Sequence, residues 1–482
     1  MVELPPYALS FSHKGFAVNA PLAQPLKTQM DARTRALVEG PIVPTLLRLA
    51  LPNVLVMLVQ SGVALAEAYF VGMLGTDALA GVTLVVPLLM LTQMMSAGAM
   101  GGGISSAVAR ALGGGRKDDA NALVWHATVI ALGFGIATSV IIIGFGNWIY
   151  GDAMGGRGGA LDAALAYSNV TFGGAILIWL FNSLANVIRG TGNMMVPATV
   201  TLAGTVVAIP LSPIFIFGWG PVPAFGVMGG AAVLIGYYVI GCAALVYFIW
   251  SGRGVLKPQL TPPKLYWPLM RDILRVGLIA CLITVTTNLS VAVANALVSA
   301  QGTAAVAGYG VGARLEYLLI PLAFGMGGPL VAMVGTAMGA GQRERAVRVA
   351  WIGAAINGVL SEIIGLAAAF FPLAWLSLFG NDPLMLATGT RYLHIVAPIY
   401  GFFGAGMVLY FASQGAGRLK WPLIGGLLRL ATATVGGWLM LKWVGNVDGV
   451  FIALAAALII FGIVNAAAIY FGAWGPRSTA SR

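Results

Sequence analysis

Charge is scarce in this chain. Of its 482 residues 9% are charged and 59% are hydrophobic, whereas soluble domains carry about 25% charge. That deficit excludes an ordinary water-facing surface, and with it a soluble enzyme or nucleic-acid binder. Cysteine is nearly absent. Cys242 and Cys281 both lie in apolar runs and read as buried thiols, with no disulfide framework and no CxxC motif. No GxxxxGK[ST] phosphate loop occurs, which argues against an ATP-driven pump. The triplets GGG at 101–103 and 113–115 read as helix contact and loop punctuation. No set of nucleophile, base and orienter stands out, no metal-ligand cluster and no selectivity filter, so an intramembrane enzyme or a channel lacks support. The first 43 residues lack a signal-peptide core with a cleavage site. They are expected to form a cytoplasmic tail containing a short helix at 31–40, ended by Gly40 and Pro41.

What is present is apolar length. Stretches fit for spanning fall at 44–71, 78–105, 120–148, 163–188, 195–218, 224–250, 269–300, 304–328, 346–379, 386–413, 421–442 and 449–473. A spanning helix needs about 20 apolar residues, and no alternation supports a β-barrel. The fold class expected is therefore an all-α polytopic membrane protein with 12 transmembrane helices. The net charge of +11 resides mostly in alternate short loops: Arg116 and Lys117, Arg189, Arg253 with Lys257 and Lys264, Arg343 with Arg345 and Arg348, and Arg418 with Lys420. The opposite loops hold Arg157 and Lys442, with Arg391 near a helix end. The positive-inside rule then places both termini in the cytoplasm.

The chain also repeats itself. LLRLALP (46–52) matches ILRVGLI (273–279), GTDALAG (75–81) matches GTAAVAG (302–308), ALGGGRKDDA (111–120) matches AMGAGQRERA (337–346), and RGTGNMMVP (189–197) matches QGAGRLKWP (414–422). The offset drifts only from 227 to 225, which indicates a duplication. Two six-helix bundles are expected at 44–252 and 269–475, joined by a cytoplasmic linker at 253–268, with tails at 1–43 and 476–482. An even number of spans per half relates the bundles by an axis along the membrane normal, with substrate in the cleft between them.

Polar groups at membrane depth carry the functional information. Asn53, Gln60 and Glu67 recur every seven residues and so share one stripe of the first span. A carboxylate facing lipid costs at least ~2.5–3.5 kcal/mol, so the stripe faces an interior or a wet cavity. Taking a carboxylate out of water favours its neutral form, which suits Glu67 to carry a proton or accept a cation, with Gln60 beside it. Interhelical glue is the alternative for Asn53 and Gln60. The seventh span has Thr284, Asn288, Asn295 and Ser299 along one side, either lining the cleft or bonding neighbours. Glu316 follows Arg314 by two residues, a spacing that does not let them pair on a helix. It is a coupling candidate or half of a structural ion pair with another group. Glu362 lacks a polar stripe. Asn182 and Asn186 lie one turn apart and can meet substrate or an adjacent helix. Met90, Met94 and Met95, like Trp179, Tyr309 and Tyr400, read as packing or pocket lining. His126 and His394 read as satisfied single histidines.

Taken together, LALP, FVGMLG with ALAG, ARALGGGRKDDA, VIRGTGN followed by Pro197, SPIFIFG, GAGQRERA and QGAGR, in this order across about 40–475, resemble the multidrug and toxic compound extrusion (MATE) family. The resemblance implies two six-helix bundles around a central cavity that opens alternately to either side. It implies export of organic cations or other amphipathic compounds in exchange for protons or sodium, from the inner (plasma) membrane, with no cofactor beyond the ion gradient. Family members usually have an aspartate at the position of Glu67, which assigns Glu67 the coupling role. Two departures matter. Where many relatives have an aspartate and an asparagine on the fifth helix, this chain has Ser212 and Ala208, and Thr287 stands where others carry a glutamate on the seventh. The loss of these groups favours a proton over sodium. The expected site is thus Glu67, Gln60 and Glu316 for coupling, and Asn182, Asn186, Asn288, Asn295, Thr284 and Tyr309 for substrate. The expected partners are a small amphipathic substrate and the bilayer, for a monomer that binds no nucleic acid. The rival within the broader superfamily, a flippase for lipid-linked precursors, would need basic residues in a cavity, and Arg314 and Arg429 are the candidates.

Overall fold

A computed structural model describes residues 30–300 and 302–475; the expected tail segments 1–29 and 476–482 lie outside them. A short helix, α1 (Ala32–Glu39), precedes the first span, α2 (Ile42–Gly72). The second span is α3 (Thr76–Gln93) and α4 (Gly101–Gly113), joined by a π-helical turn at Met94–Met100. Then come α5 (Lys117–Gly144), the pair α6 (Gly158–Gly173) and α7 (Ala175–Gly190) bent by 47°, α8 (Met195–Phe217) and α9 (Val227–Trp250). The second half opens with α10 (Trp267–Ser299), then α11 (Thr303–Ala313) and α12 (Glu316–Gly339), α13 (Arg343–Phe370) and the short α14 (Pro372–Leu376). It ends with α15 (Pro383–Val396) and α16 (Tyr400–Gly415), α17 (Lys420–Ala431) and α18 (Gly437–Val444), and α19 (Val447–Tyr470). Among the described residues, eleven helical stretches are long and apolar enough to cross a membrane, and twelve if the bent pair is one span.

Several boundaries differ from the sequence reading: the second span runs to Gly113 rather than 105, and the ninth ends at Phe370 rather than 379. The eighth span does not end at 328 but runs to Gly339, because GGPLVAMVGTAMG continues the helix through Pro329. Proline is tolerated there because neighbouring helices satisfy the freed carbonyl. The linker lies two residues earlier than expected, since α9 ends at Trp250 and Trp267 with Pro268 at the first turn already starts α10. It is also held down. Tyr266 N–H donates to His126 Nε2 at 2.9 Å, Lys257 N–H donates to Asn121 Oδ1 at 2.8 Å, and Trp125 Nε1 donates to the Gln259 carbonyl at 3.0 Å. His126 is therefore a satisfied histidine, its Nδ1 lying 2.8 Å from the Ala122 carbonyl.

The repeat holds in three dimensions. In the first half α2 packs on α8, α3 on α6, α5 on α7 and α8 on α9; in the second α10 packs on α17, α11 on α15, α13 on α16 and α17 on α19. One of these pairings, α3 on α6 and α11 on α15, is matched at the level of atoms. A methyl group built on Gly81 would meet the Ala160 carbonyl oxygen at 2.6 Å, and one on Gly308 would meet the Met385 oxygen at 2.5 Å. Gly81→Val and Gly308→Val are accordingly expected to destabilise by about 1–3 kcal/mol each through overpacking. The check is the melting temperature of detergent-solubilised protein, and full tolerance of both would contradict the shared geometry.

Candidate functional site

Glu67 lies five residues before the end of α2, on the side facing α6 and α9. Its Oε1 accepts a hydrogen bond from the Tyr167 hydroxyl at 2.8 Å. Gly230 of α9 leaves the room beside it, since a methyl there would stand 3.3 Å from the same oxygen. Among the described residues no ion pair involves Glu67. It is thus a half-buried carboxylate held by a neutral donor, a state in which it can take up a proton or a small cation without first breaking a salt bridge.

A second polar cluster lies deeper in the same half. Gln93, at the end of α3, accepts from Asn182 Nδ2 at 3.1 Å and donates to the Tyr238 hydroxyl. Asn182 Nδ2 also reaches Ser96 Oγ at 2.8 Å, and Asn186 Nδ2 donates to the Ala97 carbonyl at 3.0 Å. The π turn at Met94–Met100 places these groups opposite α7. Such turns recur at functional sites because the extra residue re-aims side chains. Asn182 and Asn186 are buried and committed to this network, so in this conformation they brace the second and fourth spans.

The other expected residues separate. Gln60 is exposed and Asn53 is buried, with Asn53 Nδ2 directed at the Gly325 carbonyl of α12 at 3.5 Å. The stripe on α2 is therefore divided among three surroundings. Asn288 and Asn295 are exposed on α10 and donate to the Thr284 and Val291 carbonyls of their own helix, while Thr284 is buried. Tyr309 is buried in the second half against Tyr392 and Phe451. Glu316 belongs to the other half: it begins α12, and its Oε1 accepts from the Tyr392 hydroxyl. Arg314 points elsewhere, over the Phe379 ring at 5.4 Å. Glu362 has a capping role, since its Oε2 accepts from the Gly401 N–H at 2.7 Å in the first turn of α16.

Gln93, Tyr167, Tyr238 and Tyr392 were not singled out in the sequence. A signal for two of them existed, because the register that aligns 189–197 with 414–422 also aligns Tyr167 with Tyr392. Each half thus holds a tyrosine at the same repeat position, and each tyrosine donates to a glutamate. The glutamates themselves come from non-equivalent helices. Tyr167→Phe removes the donor from a half-buried carboxylate, a loss of about 1–1.5 kcal/mol. Substrate efflux by that variant is expected to fall about tenfold, measured as initial rates in vesicles; an unchanged rate would show that the bond is incidental.

The halves meet at one end through α4, α12, α10 and α16. Arg110 donates to the Gly415 carbonyl at 3.1 Å and to Asp272 Oδ1 at 2.9 Å. Gln414 Nε2 donates to the Gly98 and Ala99 carbonyls at 3.1 and 3.0 Å. Methyl groups on Gly113 and Gly339 would stand 2.1 Å from the Thr336 oxygen and 2.2 Å from the Arg110 oxygen. This end, which carries the loops after α4 and α12, is closed. Glu67 lies toward the other end of α2, 25 residues along, or ~38 Å from Ile42 at 1.5 Å per residue.

Comparison with known proteins follows the same outline. The MatE family model matches residues 52–214 and 280–439, one block in each half. The FAD transporter of Shewanella oneidensis is 25% identical over 434 residues, 89% of this chain and 94% of that protein. The probable multidrug resistance protein NorM of Thermotoga maritima is 24% identical over 448 residues, 91% and 94% of the two chains. Among solved structures, a MATE protein in complex with MaD3S superposes with a TM-score of 0.80 at 24% identity, covering 90% of this chain and 97% of the other. The outward-facing conformation of a multidrug resistance MATE family transporter superposes with a TM-score of 0.79 at 23% identity, covering 90% and 96%.

Proposed function

Because this chain belongs to the MatE family, we propose that it is a secondary active antiporter that exports organic cations or other amphipathic compounds in exchange for protons. Its relatives include multidrug export proteins. The observation that carries the reading is Glu67, a carboxylate at membrane depth held by Tyr167 and free of any ion pair among the described residues. Charge asymmetry in the loops supports cytoplasmic termini, which makes the closed end the cytoplasmic one. Proton uptake by Glu67 from outside then neutralises the carboxylate, loosens its hold on α6, and favours substrate release outward. Substrate entering from the cytoplasm favours the ionised form. The membrane potential contributes ~2.3 kcal/mol per charge per 100 mV. Gln60 lies two turns along α2, on the path toward Glu67, and the exposed Asn288 and Asn295 are the best placed of the named residues to face an open cleft.

Sodium is the competing ion. Ser212, Ala208 and Thr287 offer no second carboxylate near the first, and a sodium cage needs several oxygens whereas a proton needs one group. The test is proton release from everted membrane vesicles on adding a cationic dye, with and without sodium. Release that does not need sodium supports the reading, and release that depends on sodium overturns it. A second reading concerns substrate: the similarity to an FAD transporter along 434 residues favours an anionic flavin-type cargo. Efflux of FAD, compared with that of the dye from the same vesicles, separates the two. The flippase rival gains nothing from Arg429, which is enclosed among aromatic rings, or from Arg314 over Phe379.

A further inference from the structure

The second half contains an acid and an aromatic enclosure like those that bind organic cations, and the chain has put its own cation there. Arg429, in the last turn of α17, is 6% exposed at membrane depth. Its guanidinium carbon lies 5.2 Å from the centre of the Phe403 ring and 5.7 Å from that of Phe461. Aromatic faces at this range attract a desolvated cation. A charge in such a place still needs an opposite one. Among the described residues no acid lies within salt-bridge distance of Arg429, and its Nη1 has no hydrogen-bond partner. The acid on the same cluster is Glu316, because its donor Tyr392 and the Phe403 ring beneath Arg429 belong to one buried group. Glu316 is in turn held by Tyr392, whose ring packs edge-on against Tyr309 at 5.3 Å and Phe451 at 5.2 Å.

Beyond the non-equivalent helices that carry their glutamates, the two halves differ in a further respect. Glu67 and Glu316 each accept from a tyrosine at the same repeat position, but only the tyrosine of Glu316 shares its buried cluster with a ring, Phe403, that lies under an arginine. We propose that Arg429 is a tethered cation that occupies an organic-cation site in the second half, so that Glu316 is compensated by the chain itself and ion coupling is left to Glu67. The last clause rests on the function proposed above; the occupancy of the second site does not.

The test uses the full chain purified in detergent and reads its melting temperature, with no reference to transport. Arg429→Ala empties the enclosure and leaves Glu316 uncompensated, and is expected to melt several degrees below wild type. Guanidinium chloride at low millimolar concentration, compared with sodium chloride at equal ionic strength, is expected to restore at least half of that loss by refilling the site. It should leave wild type and the Glu316→Gln/Arg429→Ala double variant unchanged. Glu316→Gln alone strands the arginine and should melt lower than the double variant Glu316→Gln/Arg429→Met, because removing one buried charge costs more than removing both. The proposal is overturned if guanidinium acts equally on Arg429→Ala and wild type, or if Glu316→Gln is as stable as wild type. Should Arg429→Ala not be recovered from membranes, the Glu316→Gln/Arg429→Met variant decides. Recovery near wild-type level supports the pairing, and failure as severe as that of the single variant overturns it. Loss of proton coupling in Glu67→Gln with no guanidinium effect would sink this proposal alone.

Discussion

Glu67→Gln is expected to reduce dye-coupled proton release to the background of empty vesicles while leaving the protein folded. The substitution is nearly isosteric. The glutamine carbonyl can still accept from the Tyr167 hydroxyl, which now reaches a carboxylate oxygen at 2.8 Å, and the space beside Gly230 is unchanged. What is lost is the ability to exist in two charge states. Coupling requires that the outward and inward forms differ in affinity for the proton, since an ion with equal affinity for both shifts nothing. A permanently neutral group has no such difference to offer. Glu67→Asp is the complementary case. It keeps the titrating group but draws it back from Tyr167 by one methylene, so coupling should persist at a reduced rate. Full coupled release by the glutamine variant would end the case for Glu67, and Glu316 would be the next acid to change.

The second large effect is expected at the closed end. Gly113→Val or Gly339→Val should prevent α4 and α12 from meeting, because the first atom of the new side chain would fall 2.1 Å from the Thr336 oxygen or 2.2 Å from the Arg110 oxygen. Backbone on both sides leaves no flexible side chain to move aside, so relief requires the helices to part. Parting also strips the Arg110 guanidinium of its bonds to Gly415 and Asp272. An alternating transporter that cannot close one end should leak or stall, with net export near zero. Spin labels at positions 116 and 343 should lose their short-distance population in these variants. Gly133→Val is the control, since nothing lies within 4 Å of a methyl at that position, and it should export normally. Unaltered distances and export in Gly113→Val would mean that the seam is not part of the cycle.

Much of this molecule is readable without coordinates, because hydrophobicity and loop charge act residue by residue. The apolar stretch at 120–148, built around ALGFGIATSVIII, is long enough to cross the bilayer core, and each stretch of that length sets a span on its own. Repeat and fold class follow from the order of those runs. The coupling candidate was legible for the same reason: a carboxylate inside LAEAYFVGMLG stands out against the cost of burying it. Partnerships were not legible. Hydropathy says that Glu67 must turn away from lipid, but it does not say that it turns toward Tyr167, a hundred residues on, rather than toward Gln60 on its own stripe. The apparent stripe of Asn53, Gln60 and Glu67 divides because α2 meets α12 at one end, where Gly325 admits Val54, and α9 at the other, where Gly230 lies beside Glu67, and such glycine contacts have no hydropathy signature.

Glu316 shows the division most clearly. In the sequence its neighbour is Arg314, and the helical spacing correctly separates the two. The arginine proposed to compensate it, Arg429, lies on another helix far along the chain and was visible only as a rare basic residue in an apolar run. The motifs ARALGGGR and QGAGR could be recognised one by one, but that Arg110 of the first donates to Gly415 of the second depended on bringing the two halves face to face. Composition and periodicity determine that the chain must be a duplicated bundle of membrane helices with a few costly polar groups inside. Which of those groups meet is decided by helix packing, since contacts between distant segments depend on close approach of backbones and not on the affinity of any one residue for water or lipid.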